Sequence, residues 1–179
     1  MNTLNRRTFA LAVALLCVLA ETLLVKAQVS PYMPKMKTVL TYNIRNATTD
    51  DGQEDIDDVV RTIHQTDADF IAIQELDSIT GRSKGKDVLR ELAILSRYYP
   101  VYGSSIDYDG GKYGLGILSK QKPLAVRKIA LPGREEARIM LVAEFQDIVL
   151  ANTHLSLTDE DRMTSASLIL AEAQSSIKP

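Results

Sequence analysis

The chain of 179 residues has one cysteine, no tryptophan and only two histidines. The cysteine, Cys17, lies in an apolar N-terminal stretch, so the remainder carries no thiol for a disulfide framework and no Cys/His cluster for structural zinc. A Gly-rich dinucleotide fingerprint and a P-loop are also missing, which excludes the commonest nucleotide-binding classes. There is no internal repeat and no low-complexity tract. Neither sign of charge dominates: 21 basic residues face 23 acidic ones, a net charge of -2. That balance lacks the basic excess of a nonspecific duplex-DNA binder.

What is present reads as a single globular domain, with 45% hydrophobic and 25% charged residues. Its beginning stands apart. Arg6 and Arg7 precede the uncharged run Thr8 to Ala20, and Val25-Lys26-Ala27 ends the stretch, which is the order of a secretory signal cleaved before Gln28. The run is interrupted by Glu21 and is short of the ~20 residues of a membrane-spanning helix. An uncleaved N-terminal membrane anchor is the alternative. Removing Arg6, Arg7, Lys26 and Glu21 leaves 18 basic and 22 acidic side chains, a net charge of -4. The expected organisation is a signal peptide over 1–27, a Pro-punctuated leader over 28–36 and a domain over 37–179, secreted or periplasmic.

Within the domain, KTVLTYNI (Lys37 to Ile44) predicts a first strand ending at Asn43, whose amide either faces a site or closes a turn on its own backbone. Ile56, Val59, Val60 and Ile63 fall on one face of a helix, with His64 as a residue near its C-terminus. DFIAIQEL (Asp69 to Leu76) predicts a strand buried on both faces and closing on Gln74-Glu75. An acid in that place is costly unless it is paired or bound to a cation. The loop Asp77 to Asp87 carries Arg82, Lys84 and Lys86, either as a solvated cluster or against an anionic substrate. Val88, Leu89, Leu92 and Leu95 mark a second helix. From Tyr98 the pattern predicts an antiparallel meander of short strands, broken at Asp109-Gly110 and ending in VLANTHL. Thr158 and Asp161 form a capping pattern ahead of a final helix to about Ser176. The order β-α-β-α followed by consecutive strands predicts an α/β layered fold with a mixed sheet.

Asn43, Glu75, Tyr113, Arg138, Asn152 and His154 all fall at or near strand ends. Four segments carry them in order: TYNIR (Thr41 to Arg45), IQELD (Ile73 to Asp77), KYGLGILSK (Lys112 to Lys120) and NTHLS (Asn152 to Ser156). Together they resemble the motifs of the endonuclease/exonuclease/phosphatase superfamily, which includes DNase I-like nucleases, inositol polyphosphate 5-phosphatases and secreted sphingomyelinases. The resemblance covers residues 37 to 178 and implies the N-terminal part of a four-layered α/β sandwich. It implies a phosphoesterase hydrolysing a phosphodiester or phosphomonoester by in-line attack of water. Glu75 would be the carboxylate ligand of Mg²⁺ or Mn²⁺, and Asn43 would help hold the metal or the phosphate. His154 would contact the scissile phosphate or act as general acid, with Arg138 binding phosphate oxygens, Tyr113 donating its hydroxyl, and Asn152 orienting His154 or the substrate. The partner implied is a phosphate ester (small molecule, lipid head group or nucleic acid), with no protein partner and a monomeric state if folded.

The family's Gly-Asp-x-Asn motif and its terminal motif with a second catalytic histidine do not occur in this sequence. The resemblance therefore implies a C-terminal truncation that leaves the chain inactive alone, with the inner face of a half-sandwich exposed and prone to aggregation. Two other readings stand beside it: a non-catalytic module that captures an anion, and a gene fragment without function.

Overall fold

The computed structural model describes residues 36–49 and 51–176, so the expected signal peptide and all of the leader but Met36 lie outside the described residues. Strand β1 (Val39–Asn43) leads through a short turn, Arg45–Ala47, to helix α1 (Ile56–Thr66) and then to strand β2 (Phe70–Ser78). β1 and β2 pair in parallel, as a connection through a helix requires. α1 is capped by Asp55, whose side chain accepts from Asp58 N–H, and it buries Val59 and Ile63. Helix α2 (Val88–Ser96) is capped in the same way by Asp87 and buries Val88, Leu89 and Leu92. Both helices turn their predicted apolar stripes inward, except that Leu95 of α2 is exposed.

Strands β3 (Tyr99–Tyr108) and β4 (Gly111–Ser119) form a hairpin, and β4 pairs antiparallel with β2. The first sheet is thus mixed, with the order β1-β2-β4-β3. Strands β5 (Ala125–Leu131), β6 (Arg138–Glu144) and β7 (Val149–Thr153) form a second, antiparallel sheet. The predicted continuous meander is therefore divided: the chain changes sheets between β4 and β5. Helix α3 (Asp159–Ser176) follows.

Side-chain alternation explains the stacking. Ile71 and Ile73 of β2 point to one side, where they pack with Ile63, Leu89 and Leu92 of the helices. Phe70 and, from β4, Leu115 and Ile117 point to the other, where they meet Ile139, Leu141 and Leu150 of the second sheet. Met140 and Val142, on the opposite face of β6, pack with Leu131 and with Leu155 and Ile169. Successive residues of β2, β4 and β6 are buried because both faces of those strands are covered. The layers run helix, sheet, sheet, helix.

The expectation of a bare inner face is corrected in part: three strands of the second sheet cover Phe70, Leu115 and Ile117 of the first, whereas on β1 Val39 is 46% exposed and Thr41 and Asn43 are also exposed. The capping pattern before α3 is corrected as well. Asp161 turns its carboxylate to Arg134, accepting from both its backbone N–H (3.0 Å) and its guanidinium.

Candidate active site

β1, β2 and β7 end near one another at one edge of the sandwich. Glu75 does not close its strand as predicted; β2 runs on to Ser78 through a bulge. Ile73 pairs with Gly116 and Leu76 with Gly114, so Gln74 and Glu75 together stand opposite Leu115. Glu75 takes φ +57°, a left-handed conformation that a non-glycine residue adopts at a cost, and bulges of this kind re-aim a side chain. Here the bulge turns the carboxylate to the sheet edge.

The Oε1 atom of Glu75 accepts from Asn43 Nδ2 at 2.7 Å and lies 4.0 Å from His154 Nε2. Both side chains are about one-third to one-quarter exposed, 32% for His154 and 26% for Glu75. Two groups separated by 79 residues in sequence are thereby placed to share one oxygen-rich ligand. The sequence-predicted pair does converge.

Asn43 satisfies both readings of its amide at once. Its Oδ1 accepts the Arg45 N–H at 3.0 Å, closing a turn on its own backbone, while its Nδ2 reaches Glu75. Asn43 thus steadies the carboxylate, while its oxygen, which has two lone pairs, spends one of them on the turn.

Tyr113 is the third residue of β4, opposite Asp77. Burial pushes its hydroxyl pKa far up, helped by the negative charges of Glu75 and Glu136 and only partly offset by Arg82 and Arg138. The group is therefore a protonated hydroxyl, a donor, at any ordinary pH. Its ring lies 6.1 Å from that of Tyr108, and the Arg82 guanidinium sits over both rings, 4.4 Å from Tyr108 and 5.4 Å from Tyr113.

Arg138 opens β6 and is 8% exposed. Its two terminal nitrogens are held by Glu135 (3.3 Å) and Glu136 (3.1 Å), and its Nε is buried without a partner. The planar fork expected to clasp a phosphate is thus occupied by carboxylates of its own loop.

Asn152 is placed differently from the expectation. It is 2% exposed, donates Nδ2 to the carbonyls of Ile73 (2.7 Å) and Gly116 (2.9 Å), and accepts from Gln74 at 2.7 Å. Its amide joins the two sheets from inside and bonds neither to His154 nor to the cleft. The basic loop is also committed internally: Arg82 makes a bidentate pair with the buried Asp77 (2.7 and 2.8 Å), while Lys84 and Lys86 pair with Glu54. Gln74, Asp77, Glu135 and Glu136 were not singled out as site residues, although the last two stand beside Arg138 in the sequence GREEAR.

Hard divalent cations accept one or two carboxylates and keep several waters. Glu75 at a partly open edge fits that pattern. Among the described residues no group of three or more His, Cys, Asp and Glu side chains stands ready to hold a metal, so a water-rich site is the kind these residues fit.

Glu75 and His154 thus converge at the strand-end edge of a layered α/β sandwich. The chain belongs to the endonuclease/exonuclease/phosphatase family, whose sequence pattern matches residues 40–171. Among solved structures it is similar to an endonuclease/exonuclease/phosphatase from Beutenbergia cavernae DSM 12333, with 18% identity and a TM-score of 0.62 over 75% of this chain and 43% of that one. It is similar to D. rerio TDP2 complexed with a single-strand DNA product (19% identity, TM-score 0.55, 78% of this chain and 55% of that one). It is also similar to ANGEL2, a 2',3'-cyclic phosphatase, in complex with adenosine-2',3'-vanadate (19% identity, TM-score 0.55, 78% and 48%). The chain spans about half the length of these structures, and at such identities the likeness shows the fold. No curated protein matches it closely enough in sequence to add to this.

Proposed function

We propose that these residues form the cation-binding and phosphate-binding part of a divalent-metal-dependent phosphoesterase. The observation that carries the reading is the 4.0 Å approach of His154 Nε2 to Glu75 Oε1, with Asn43 steadying the same carboxylate oxygen. A Mg²⁺ or Mn²⁺ ion bound through Glu75 would supply Lewis-acid polarisation of the phosphoryl group. His154 would place Nε2 on a phosphate oxygen or return a proton to the leaving oxygen, a task that suits an imidazole. Tyr113, protonated throughout, would donate its hydroxyl to a further oxygen.

The water-activating group is not supplied by the residues seen at this edge, and His64 is the only other histidine in the sequence. These residues are accordingly expected to bind the cation and a phosphate ester but to turn the ester over poorly by themselves. Two of the similar structures hold a DNA product or an adenosine ligand, so single-stranded DNA and a nucleoside 2',3'-cyclic phosphate are the first esters to try.

The test is calorimetric titration of Mn²⁺ and then inorganic phosphate into the chain, beside hydrolysis assays of those esters with Mg²⁺. Glu75→Gln is expected to weaken Mn²⁺ binding at least about tenfold, since even an outer partner of a metal ligand is worth that much. Equal Mn²⁺ binding by wild type and Glu75→Gln would sink the proposal. Phosphate binding that ignores Mn²⁺ would instead favour the anion-capturing module.

A further inference from the structure

The bulge that carries Glu75 raises the question of what holds it. An extra residue in one strand of a ladder leaves backbone groups without their cross-strand partners, and a buried carbonyl without a donor is costly. The carbonyls of Ile73 and Gly116, the last matched pair before the bulge, receive the two N–H groups of the Asn152 carboxamide, at 2.7 and 2.9 Å. That carboxamide comes from β7, in the opposite sheet. Its remaining polar atom, Oδ1, accepts from Gln74 Nε2 at 2.7 Å, and Gln74 is the other bulge residue. Gln74 Nε2 also approaches Thr41 Oγ1 on β1 at 3.2 Å, so three strands meet at one pair of amides.

The two ends of this bridge lie next to the chemistry. Gln74 directly precedes Glu75, and Asn152 is two residues before His154. We infer that the Gln74–Asn152 carboxamide pair is a positioning device that locks β7 to the β2 bulge and thereby sets the separation of Glu75 and His154. The inference rests on the proposed cation-and-phosphate reading of that pair and deepens it by naming what holds it in register.

The surroundings support a register role. By strand alternation Gln74 lies on the same face of β2 as Phe70, and Asn152 on the same face of β7 as Leu150, both of the apolar layer between the sheets, where a polar side chain has few partners to choose from. A hydrophobic pair would fill the same space without the cost of burying two amides. What amides add is direction: sliding β7 by one residue along β2 would break every bond in the bridge and move His154 by about 3.3 Å. Displacements of about 1 Å already cost much of the benefit of positioning.

The test uses the whole chain and its two histidine ring signals in proton NMR, His64 being assigned by a His64→Gln variant. Mn²⁺ bound at Glu75 broadens nearby protons steeply with proximity, so in wild type the His154 ring is expected to broaden and the His64 ring to stay sharp. In Gln74→Met, which conserves volume, melting is expected to remain cooperative while His154 broadening falls several-fold and Mn²⁺ affinity changes little. Gln74→Leu is the second variant and is expected to behave alike. Unchanged His154 broadening in both variants would overturn the inference and leave the functional proposal standing. Absence of His154 broadening in wild type would overturn both. Loss of cooperative melting in both variants would overturn the inference by making the pair an element of folding rather than of positioning.

Discussion

Glu135 gathers the loop that follows β7. Its carboxylate accepts the Leu157 N–H and the Ser156 hydroxyl, each at 2.8 Å, and pairs with Arg138. The Leu157 N–H, its own backbone N–H and the Ser156 hydroxyl, in that order, favour the charged form and bring its pKa from 4.5 down to about 2. A carboxyl group depressed on folding stabilises the native state above its unfolded pKa, and that contribution is lost as pH falls through the folded value. The melting temperature is therefore expected to drop between pH 4.5 and about 2, and Glu135→Gln to flatten that limb of the profile. Calorimetric melting of both proteins across this range decides it; parallel profiles would show that Glu135 does not anchor the loop. At this scale the sequence revealed the pieces with unusual chemistry for their place. Glu75 was legible because an acid inside an apolar strand demands a partner, and His154 because an imidazole ends another strand. The engagement of Arg138 and Asn152 was not legible, because it depends on which backbone and side-chain groups the fold brings to them: the Asn152 bridge joins positions 78 apart.

The helices were predicted by period, and α1 and α2 lie where their apolar stripes place them, each with an aspartate cap that the structure adds. Two features needed the structure. A bulge keeps the apolar pattern on both sides of itself, so IQELDS read as a strand's end rather than a strand continuing to Ser78. The strands after Tyr98 alternate alike in either sheet, so nothing local marked the change of sheet after β4. The loop between β2 and α2 shows how an element-scale closure depends on one ion pair. Asp77 is fully buried and is satisfied by the Arg82 fork and by the Thr80 hydroxyl at 2.8 Å, while Arg82 also braces Asn46 and the Tyr108–Tyr113 pair. Arg82→Leu leaves that carboxylate buried without its cation and is expected to destabilise the protein by about 3 kcal/mol. Urea unfolding measures it. A change under about 1 kcal/mol, the range of an exposed pair, would mean that the loop relaxes and water reaches Asp77.

At the scale of the whole molecule, the margin of the two-sheet stack at β7 is open among the described strands. Among the described strands β7 pairs on one side only, with β6, and its outward residues Val149 and Ala151 border an open gutter of about 300 Å³ lined also by Ile169, Glu172 and Ala173 of α3. β7 carries no charge, proline or bulge, the devices by which edges are normally blunted. Beside it the uncovered face of β1 exposes Val39. An unpaired edge next to apolar surface is a template for another strand, so the chain is expected to self-associate as its concentration rises. Ala151→Lys puts a charge on that strand at an exposed position beside the gutter. The substitution is expected to suppress association while changing stability by no more than about 0.5 kcal/mol, the usual range for a surface position. Sedimentation of both proteins over a range of concentrations reads the difference. Equal association would place the adhesive surface elsewhere, and a wild type that stays monomeric throughout would show that the open margin is not adhesive at all.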